Sequence, residues 1–284
     1  MNYRHAFHAG NFADVFKHAA LALIVEHLKR KATPFAVVDT HAGLGRYDLA
    51  APEAERTGEW REGIGRVLES NPDLPGLASL MKAIAAVNNR QKPTAGHLPR
   101  WYPGSPRVAR TLLRKSDRLW CAELHPDDAH VLAREFAGDA QVEARRMDGY
   151  EAIRAWLPPA PRRGVALIDP PFEQRDEFRH LLKGLKDGHR RFATGIFILW
   201  YPIKTRAPVD GFRHALAESG IRKILAAELL IRPLDNLERL NGCGLIVVNP
   251  PWRLDRELAE LAAGLAGIFG GGRGYSSVGW LAGE

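Results

Sequence analysis

Residues 164–172 read GVALIDPPF, an apolar run that ends in an acid, two prolines and an aromatic ring. An apolar run without alternation is typical of a strand that helices cover on both faces, so we expect a central strand at 164–169. The two prolines remove two backbone N–H donors and hold the chain extended. Their carbonyls point outward beside Asp169 and Phe172, which predicts an acceptor-rich cleft with a stacking surface at the strand end.

Six further strand-like runs flank this one, and helical patterns separate most of them. The predicted strands are 34–40, 119–124, 142–147, 195–200, 223–231 and 244–248, and the predicted helices are 127–136, 149–156, 175–186 and 209–219. Strand–helix alternation favours a doubly wound α/β fold, in which ligands bind beyond the carboxyl ends of parallel strands. We therefore predict a seven-stranded, mainly parallel sheet with its site at that edge.

The first two predicted strands are about 80 residues apart, whereas a strand–helix–strand unit needs about 30. The excess predicts an insertion at 51–100, with helical patterns at 59–68 and 77–87. Residues 1–50 and 101–284 would then form the main domain. We expect 51–100 to be a small helical subdomain near the site, because about 50 residues bury a core of their own poorly.

Composition excludes several classes of protein. Of the 284 residues 45% are hydrophobic, which is enough for a core, and no apolar stretch approaches the roughly 18 residues of a membrane span. The apolar segment 19–28 is interrupted by Glu26 and His27, so it predicts an amphipathic helix rather than a signal peptide. Cys121 and Cys243 lie in apolar runs, which favours reduced core thiols and a cytoplasmic protein.

The formal net charge of +7 favours a polyanionic partner. Basic residues recur beside predicted loops or along one predicted helix, and nucleic acid is the partner that they favour over a merely solvated surface. They are Arg145, Arg146, Arg162, Arg163, Arg190 and Arg191 in pairs, and Arg107, Arg110, Arg114 and Lys115 on the helix.

The first predicted strand runs into DTHAGLGRYD at 39–48. Gly43 and Gly45 allow a tight turn through which the backbone can approach a ligand. A dinucleotide-binding loop has a third glycine where this chain has Asp48, so the loop suits a ligand without phosphates better than NAD. An ordinary structural turn is the alternative.

Acids also follow the next two strands. Glu123 has two carboxylate oxygens, which can accept both hydroxyls of a ribose; the alternative is a surface acid before a helix that starts at Pro126. Asp148 can accept from the amine of an adenine, and the N–H of Gly149 can reach a ring nitrogen. The alternative for Asp148 is the N-cap of the following helix.

At the central strand, an adenine amine can donate to Asp169 and to the carbonyl of Pro170 while the base stacks on Phe172. These hydrogen bonds make the nitrogen lone pair available to an electrophile, and a base in a helix must first be flipped out. A rigid strand-to-loop turn is the alternative. A second copy of the pattern, NPPW at 249–252, follows the last strand, and we assign it a structural role at the far side of the sheet.

An Asp-Pro-Pro-aromatic motif in this order resembles the amino-group methyltransferases that use S-adenosyl-L-methionine (SAM). The N-terminal block YRHAFHAGNFADVFKH at 3–18 is more specific and resembles the RlmJ-type methyltransferases of large-subunit ribosomal RNA. So do DTHAG at 39–43, YPGSP at 102–106, ELHP at 123–126 and NPPW at 249–252, and the resemblance extends over essentially the whole chain.

The resemblance implies a SAM-dependent enzyme that methylates N6 of adenine 2030 in 23S rRNA, on a Rossmann-like domain with a helical insertion. It makes Asp169 the catalytic carboxylate and Tyr3 an RNA contact. It places SAM against His18, His41, Ser105, Glu123, Asp148, Gly149 and Asp169. Tyr3, His18 and Ser105 come from the resemblance alone. Phe172 replaces a tyrosine of the relatives, and 51–100 match them less well.

Two other functions stay open: a DNA adenine-N6 methyltransferase, and a non-catalytic RNA-binding protein on the same fold. Histidines at 5, 8, 18, 41 and 125 raise the question of zinc, but no cysteine pair or His-Glu-x-x-His motif supports it, so we expect no metal. We expect a monomer that binds naked or early-assembly 23S rRNA and no membrane.

Overall fold

The computed structural model describes residues 4–89 and 98–283. Its strands are β1 Ala36–Asp39, β2 Arg46–Asp48, β3 Trp101–Pro103, β4 Arg118–Glu123, β5 Val142–Arg146, β6 Gly164–Ile168, β7 Ile196–Ile203, β8 Ile224–Leu230, β9 Gly242–Val248 and β10 Tyr275–Ala282. Its helices are α1 Phe12–Lys29, α2 Pro52–Thr57, α3 Arg66–Ser70, α4 Leu77–Val87, α5 Ser105–Leu112, α6 Pro126–Glu135, α7 Gly149–Trp156, α8 Glu177–Arg191, α9 Arg206–Ala217 and α10 Leu254–Gly270. Tyr3, the predicted RNA contact, lies outside the described residues.

The main sheet has the strand order β10-β8-β9-β7-β6-β1-β4-β5. The five strands from β5 to β7 are parallel, and β9, β8 and β10 add antiparallel pairs. This confirms the mainly parallel, Rossmann-like α/β fold. The predicted count of seven strands is wrong, because Tyr275–Ala282 forms an eighth. That edge strand is only partly buried and has no unbroken apolar run, so its sequence carries a weak strand signal.

The direction of β9 explains the second proline motif. Because β9 is antiparallel to β7, its carboxyl end lies at the edge of the sheet opposite to Asp169. There the side-chain amide of Asn249 donates to the carbonyls of Ala193 and Gly195, both at 2.8 Å, just before β7 begins. Asn249 therefore ties two loops together, as its structural interpretation expects.

Helix α1 begins at the cap residue Asn11, whose Oδ1 accepts from the N–H groups of Ala13 and Asp14 at 3.0 Å. Fourteen of its 18 residues are buried, so the amphipathic helix predicted at 19–28 is in fact longer and enclosed on nearly all sides. The reason is that α4, α5 and α10 pack around it as well as the sheet. Its polar residues therefore lie in the interior, where each needs a partner.

The segment 51–89 lies between two short strands that pair antiparallel, with Asp48 opposite Trp101. Its predicted helix at 59–68 is divided by a kink at Gly63. Ile64 and Leu80 are fully buried in the same hydrophobic cluster as α1. The division of the chain into a main domain and a subdomain at 51–100 stays a prediction.

Within residues 4–89 and 98–283, every helix is too short or too polar to cross a lipid bilayer.

Candidate active site

A cleft of about 1670 Å³ opens at the carboxyl edge of the parallel strands. It brings together all the described residues that the sequence predicts for the site, because parallel strands end at one edge of a sheet. These residues are His18, His41, Ser105, Glu123, Asp148, Gly149, Asp169, Pro170 and Phe172.

The glycine turn after β1 holds the carboxylate of Glu123. Gly43 and Gly45 have φ angles of 60° and 80°, which side chains disfavour. The N–H of Gly43 donates to Glu123 Oε2 at 2.8 Å, and the N–H of His125 donates to Oε1 at 2.8 Å. Burial raises the pKa of Glu123. Each oxygen keeps a second lone pair, so the carboxylate can still accept two hydroxyl groups.

Asp148 caps helix α7. Its Oδ1 accepts from the N–H groups of Tyr150 and Glu151 at 2.9 and 3.0 Å, so the N-cap that the sequence left as an alternative is present, and Oδ2 takes no part in it. Gly149 is tightly enclosed: a Cβ there would lie 2.4 Å from the carbonyl oxygen of Thr40 and 2.6 Å from His41 Nε2. Only glycine therefore fits beside the imidazole at this position.

Asp169 belongs to a chain of ion pairs that the sequence patterns did not reveal. Lys17 Nζ lies 2.5 Å from Asp169 Oδ2 and 2.9 Å from Asp14 Oδ1. The Lys17 and Asp14 side chains are 4% and 1% exposed, whereas that of Asp169 is 14% exposed. Asp14 Oδ2 also lies 2.9 Å from the Gly10 nitrogen and from His5 Nε2. Lys17 thus binds one oxygen of Asp169 and is fixed in place by its ion pair with the buried Asp14.

Burial alone would lower the pKa of Lys17 and raise that of Asp14. Attraction to Asp14 and Asp169 outweighs burial for Lys17 and keeps its pKa well above the usual value. Attraction to His5 and Lys17 outweighs burial for Asp14 and holds its pKa well below its usual range. The buried pair is therefore ionised at neutral pH.

Asp39, at the end of β1, is 1% exposed. Burial raises its pKa to about 7, a hydrogen bond with Ser105 opposes this, and the nearby negative charge of Asp169 adds to it. Among the described residues, nothing donates a hydrogen bond to its buried Oδ2. A buried acceptor without a partner fits a cationic or hydrogen-bond-donating ligand.

Replacing Asp39 by asparagine should change how stability depends on pH. Folding raises the pKa of Asp39 from 3.8 to about 7, so the protonated carboxyl favours the folded state. Its contribution to the free energy of unfolding is fully present below pH 3.8 and is lost as the pH rises through about 7. We expect Asp39→Asn to gain stability relative to the wild type across this interval, by up to about 4 kcal/mol. Urea unfolding between pH 4 and 8 measures the difference. Asp73→Asn, an exposed acid, is the control, and parallel wild-type and Asp39→Asn curves would contradict the expectation.

The bend after Asp169 is held by aromatic packing. Phe172 has a φ of 53°, in the left-handed region that an aromatic residue rarely adopts. Its ring centroid lies 5.0 Å from that of Phe178 and 5.9 Å from that of Trp200. Such a backbone conformation persists only where its surroundings support it, and these two rings provide the support.

The two histidines that the sequence predicts for the site, His18 and His41, are neutral at pH 7. His18 Nδ1 lies 3.0 Å from the hydroxyl of Tyr102, and burial lowers its pKa to about 3. His41 Nδ1 lies 2.8 Å from Thr40 Oγ1, and burial lowers its pKa to about 4. In the part of the chain that the structure describes, no three His, Cys, Asp or Glu side chains are grouped to hold a metal ion.

Sequence reasoning missed Asp14, Lys17 and Asp39 as site residues. The signal for the first two was present as an acid and a base three positions apart in the mainly apolar first half of a helix. That spacing puts them on one helix face, but it does not show that the face is turned toward Asp169.

The fold and its strand-end cleft define a Rossmann-like α/β protein with a ligand site at the carboxyl edge of its parallel strands. Comparison with known proteins then identifies the family. Residues 32–282 match the family described as Ribosomal RNA large subunit methyltransferase D, RlmJ, so the chain belongs to the RlmJ family, and this confirms the resemblance read from the sequence. The protein is thus an RNA methyltransferase.

Two relatives are both named Ribosomal RNA large subunit methyltransferase J. That of Escherichia coli (strain K12) is 44% identical over 285 residues, and that of Haemophilus influenzae (strain ATCC 51907) is 41% identical over 286. Both alignments span 100% of each chain. A crystal structure of a Legionella pneumophila protein, 32% identical, superposes with a TM-score of 0.86 and covers 96% of this chain and 98% of that one.

Proposed function

We propose that this enzyme transfers the methyl group of SAM to N6 of a flipped-out adenine in 23S rRNA, at position 2030. The names of the two relatives support a large-subunit ribosomal RNA as substrate. The observation that carries the choice of adenine N6 is the bend at 169–172. Asp169, the buried Pro170 and Phe172 line one cleft, which supports a carboxylate and a proline carbonyl as acceptors for an amine and an aromatic ring as a stacking surface.

The residues of the cleft fit SAM. Glu123 offers carboxylate oxygens for ribose hydroxyls, and Gly149 leaves space that a Cβ would fill. Asp39 offers a cationic group a buried oxygen that has no hydrogen-bond partner among the described residues. His18, His41, Ser105 and Asp148 line the same cleft. When bound there, SAM supplies a methyl group made electrophilic by its sulfonium.

The protein's part in the reaction is positioning and electrostatic stabilisation. Asp169 and the Pro170 carbonyl accept hydrogen bonds from the adenine amine, and these bonds strengthen as the nitrogen becomes cationic. Lys17 carries one positive charge between two carboxylates, so this ion-pair chain keeps a net negative charge near the amine. Because Lys17 fixes one Asp169 oxygen, the carboxylate is held ready before the substrate binds.

Gly149→Ala should reduce the affinity for SAM by about 100-fold, because the added Cβ overlaps the Thr40 carbonyl and displaces His41. Titration calorimetry with SAM measures the effect. Gly211→Ala is the matched control, since a Cβ at that position meets nothing within 4 Å. Wild-type affinity in Gly149→Ala would remove this residue from the cofactor site.

The substrate is tested with labelled SAM and three acceptors: naked 23S rRNA, assembled large subunits and duplex DNA. We expect N6-methyladenosine at position 2030 of the rRNA and no label in the duplex. Transfer to DNA alone would favour a DNA methyltransferase, and absence of SAM binding would favour a non-catalytic RNA-binding protein. Mass spectrometry of 23S rRNA from cells that lack the protein tests the same assignment in vivo.

We further propose that the enzyme works as a monomer in the cytoplasm, on naked or early-assembly rRNA. Its two cysteines, Cys121 and Cys243, are free and buried, which fits a reducing compartment.

A further inference from the structure

We propose that four exposed basic side chains beside the cleft bind the phosphates of the RNA strand that flanks the target adenine. They are Lys204, Arg232, Arg239 and Arg273, and we refer to them as the basic rim. The inference rests on the proposed function, since it names the surface that receives the RNA substrate.

Hydrogen bonds at Asn241 bring two segments of the basic rim together. Lys204 follows β7, and Arg232 and Arg239 lie in the loop between β8 and β9. The Asn241 side chain donates to the carbonyl of Lys204 at 3.0 Å, and the Asn241 carbonyl accepts from the N–H of Arg232 at 3.3 Å. The end of β7 and both ends of this loop therefore meet.

The third segment joins them through the end of α10. The N–H of Arg273 donates to the carbonyl of Gly270 at 3.0 Å, and a Cβ on Gly270 would lie 3.6 Å from the carbonyl oxygen of Ile231. Ile231 directly precedes Arg232, so all four basic residues belong to one stretch of the cleft mouth.

The basic rim differs from the other cations of the cleft in being unpaired. Among residues 4–89 and 98–283, none of its four side chains forms an ion pair. By contrast, Arg154 and Lys183 lie 3.9 and 3.6 Å from Asp187, and Arg66 pairs with Glu62. An unpaired, exposed cation can exchange its counterion for a phosphate without first losing a protein partner.

The arginines that the sequence predicts along one helix are not available to bind phosphates. Arg107, Arg110 and Arg114 form ion pairs at 2.5, 2.6 and 2.9 Å, and their partners are Glu135, Asp139 and Asp117. Their charges are neutralised within the protein. The positive surface that remains for a polyanion at the cleft is therefore the basic rim.

The sheet order places the basic rim on the substrate side. Glu123 and Asp148 follow β4 and β5, on one side of Asp169, whereas the rim follows β7 and β8 and precedes β10, on the other side. A base that reaches Asp169 from outside must carry its neighbouring phosphates across the cleft mouth. Glu123 and Asp148 are assigned to the cofactor. Of the charged residues at the cleft mouth, those of the basic rim lie farthest from these two along the sheet.

Asp235 and Glu238 lie in the same loop as Arg232 and Arg239, and with them the rim and its loop keep a net charge of +2. One further feature favours a nucleic acid. Tyr275, at the start of β10 opposite Leu230, is 62% exposed and offers a ring on which a flanking base can stack.

The test compares two double variants, Arg232→Gln/Arg239→Gln and Lys204→Gln/Arg273→Gln, with Arg253→Gln/Arg256→Gln. The control residues are exposed and follow β9 at the opposite edge of the sheet. We expect each rim variant to raise the KM for 23S rRNA about tenfold. A plot of the logarithm of the RNA-binding constant against the logarithm of the salt concentration should become less steep, by about 0.7–0.9 in slope for each side chain replaced. kcat at saturating RNA and affinity for SAM should match the wild type.

Rim variants with a wild-type KM and salt slope, measured where the wild type methylates 23S rRNA, would overturn the role of the rim alone. Failure of the wild type to methylate any RNA would instead overturn the proposed function. Loss of activity only on assembling particles, with naked RNA unaffected, would also overturn the proposal and assign the rim to a protein partner.

Discussion

Asp169→Asn should reduce methyl transfer to 23S rRNA by about 10²–10³-fold and leave affinity for SAM within a few-fold of the wild type. The amide keeps the shape of the side chain but carries no negative charge, so it cannot stabilise the positive charge that develops on the adenine amine. One of its two polar atoms also becomes a donor that faces an amine or the Lys17 ammonium, which is a repulsive pairing.

Single-turnover transfer from labelled SAM measures the chemical step, and calorimetry measures binding of SAM. Asp73→Asn, an exposed acid in the segment between β2 and β3, is the matched control and should keep full activity. Full activity in Asp169→Asn would refute the assignment of Asp169 as the catalytic carboxylate. Loss of SAM binding and activity together would make it a cofactor residue only.

Lys17→Met should destabilise the fold by about 3–5 kcal/mol and slow methyl transfer by about 10²-fold. The loss of stability follows because Asp14, 1% exposed, keeps a charge without its ammonium partner. The loss of activity follows because Asp169 is no longer held in place. Urea unfolding and single-turnover kinetics measure the two effects, with Lys82→Met, an exposed lysine, as the control.

The double variant Asp14→Asn/Lys17→Met separates the two roles of Lys17. Removal of the uncompensated charge should restore much of the stability, whereas activity should stay low because Asp169 still lacks its positioning partner. If activity returns together with stability, Lys17 serves the fold alone and its contact with Asp169 has no part in the reaction.

The fold was predictable where burial is uniform. Strands β1, β6 and β9 are fully buried, and each appears in the sequence as an apolar run. β10 is an edge strand of mixed exposure, so no comparable run marks it. The helix at 59–68 was predicted as continuous because its periodicity does not register the kink at Gly63, which depends on close contact with the backbone of Gly10 and Asn11.

Most of the site residues could be predicted from the sequence for a related reason. In a parallel sheet, the residue after each strand lies at the same edge, so Glu123, Asp148 and Asp169 converge whatever the loops between them contain. The second proline motif is the instructive exception. Asn249 also follows a strand, but β9 is antiparallel and delivers it to the opposite edge.

By itself, the sequence determined the class of fold, the family and the strand-end residues of the cleft, because these follow from periodicity, spacing and motif. Only the tertiary structure decided which charges meet. Lys17 and Asp169 are 152 positions apart, and Asp39 has a raised pKa because it is buried beside Asp169. Among the described residues, the basic rim is unpaired, while Arg107, Arg110 and Arg114 are neutralised by ion pairs. Electrostatic interaction depends on distance and burial, and neither can be read from positions along the chain.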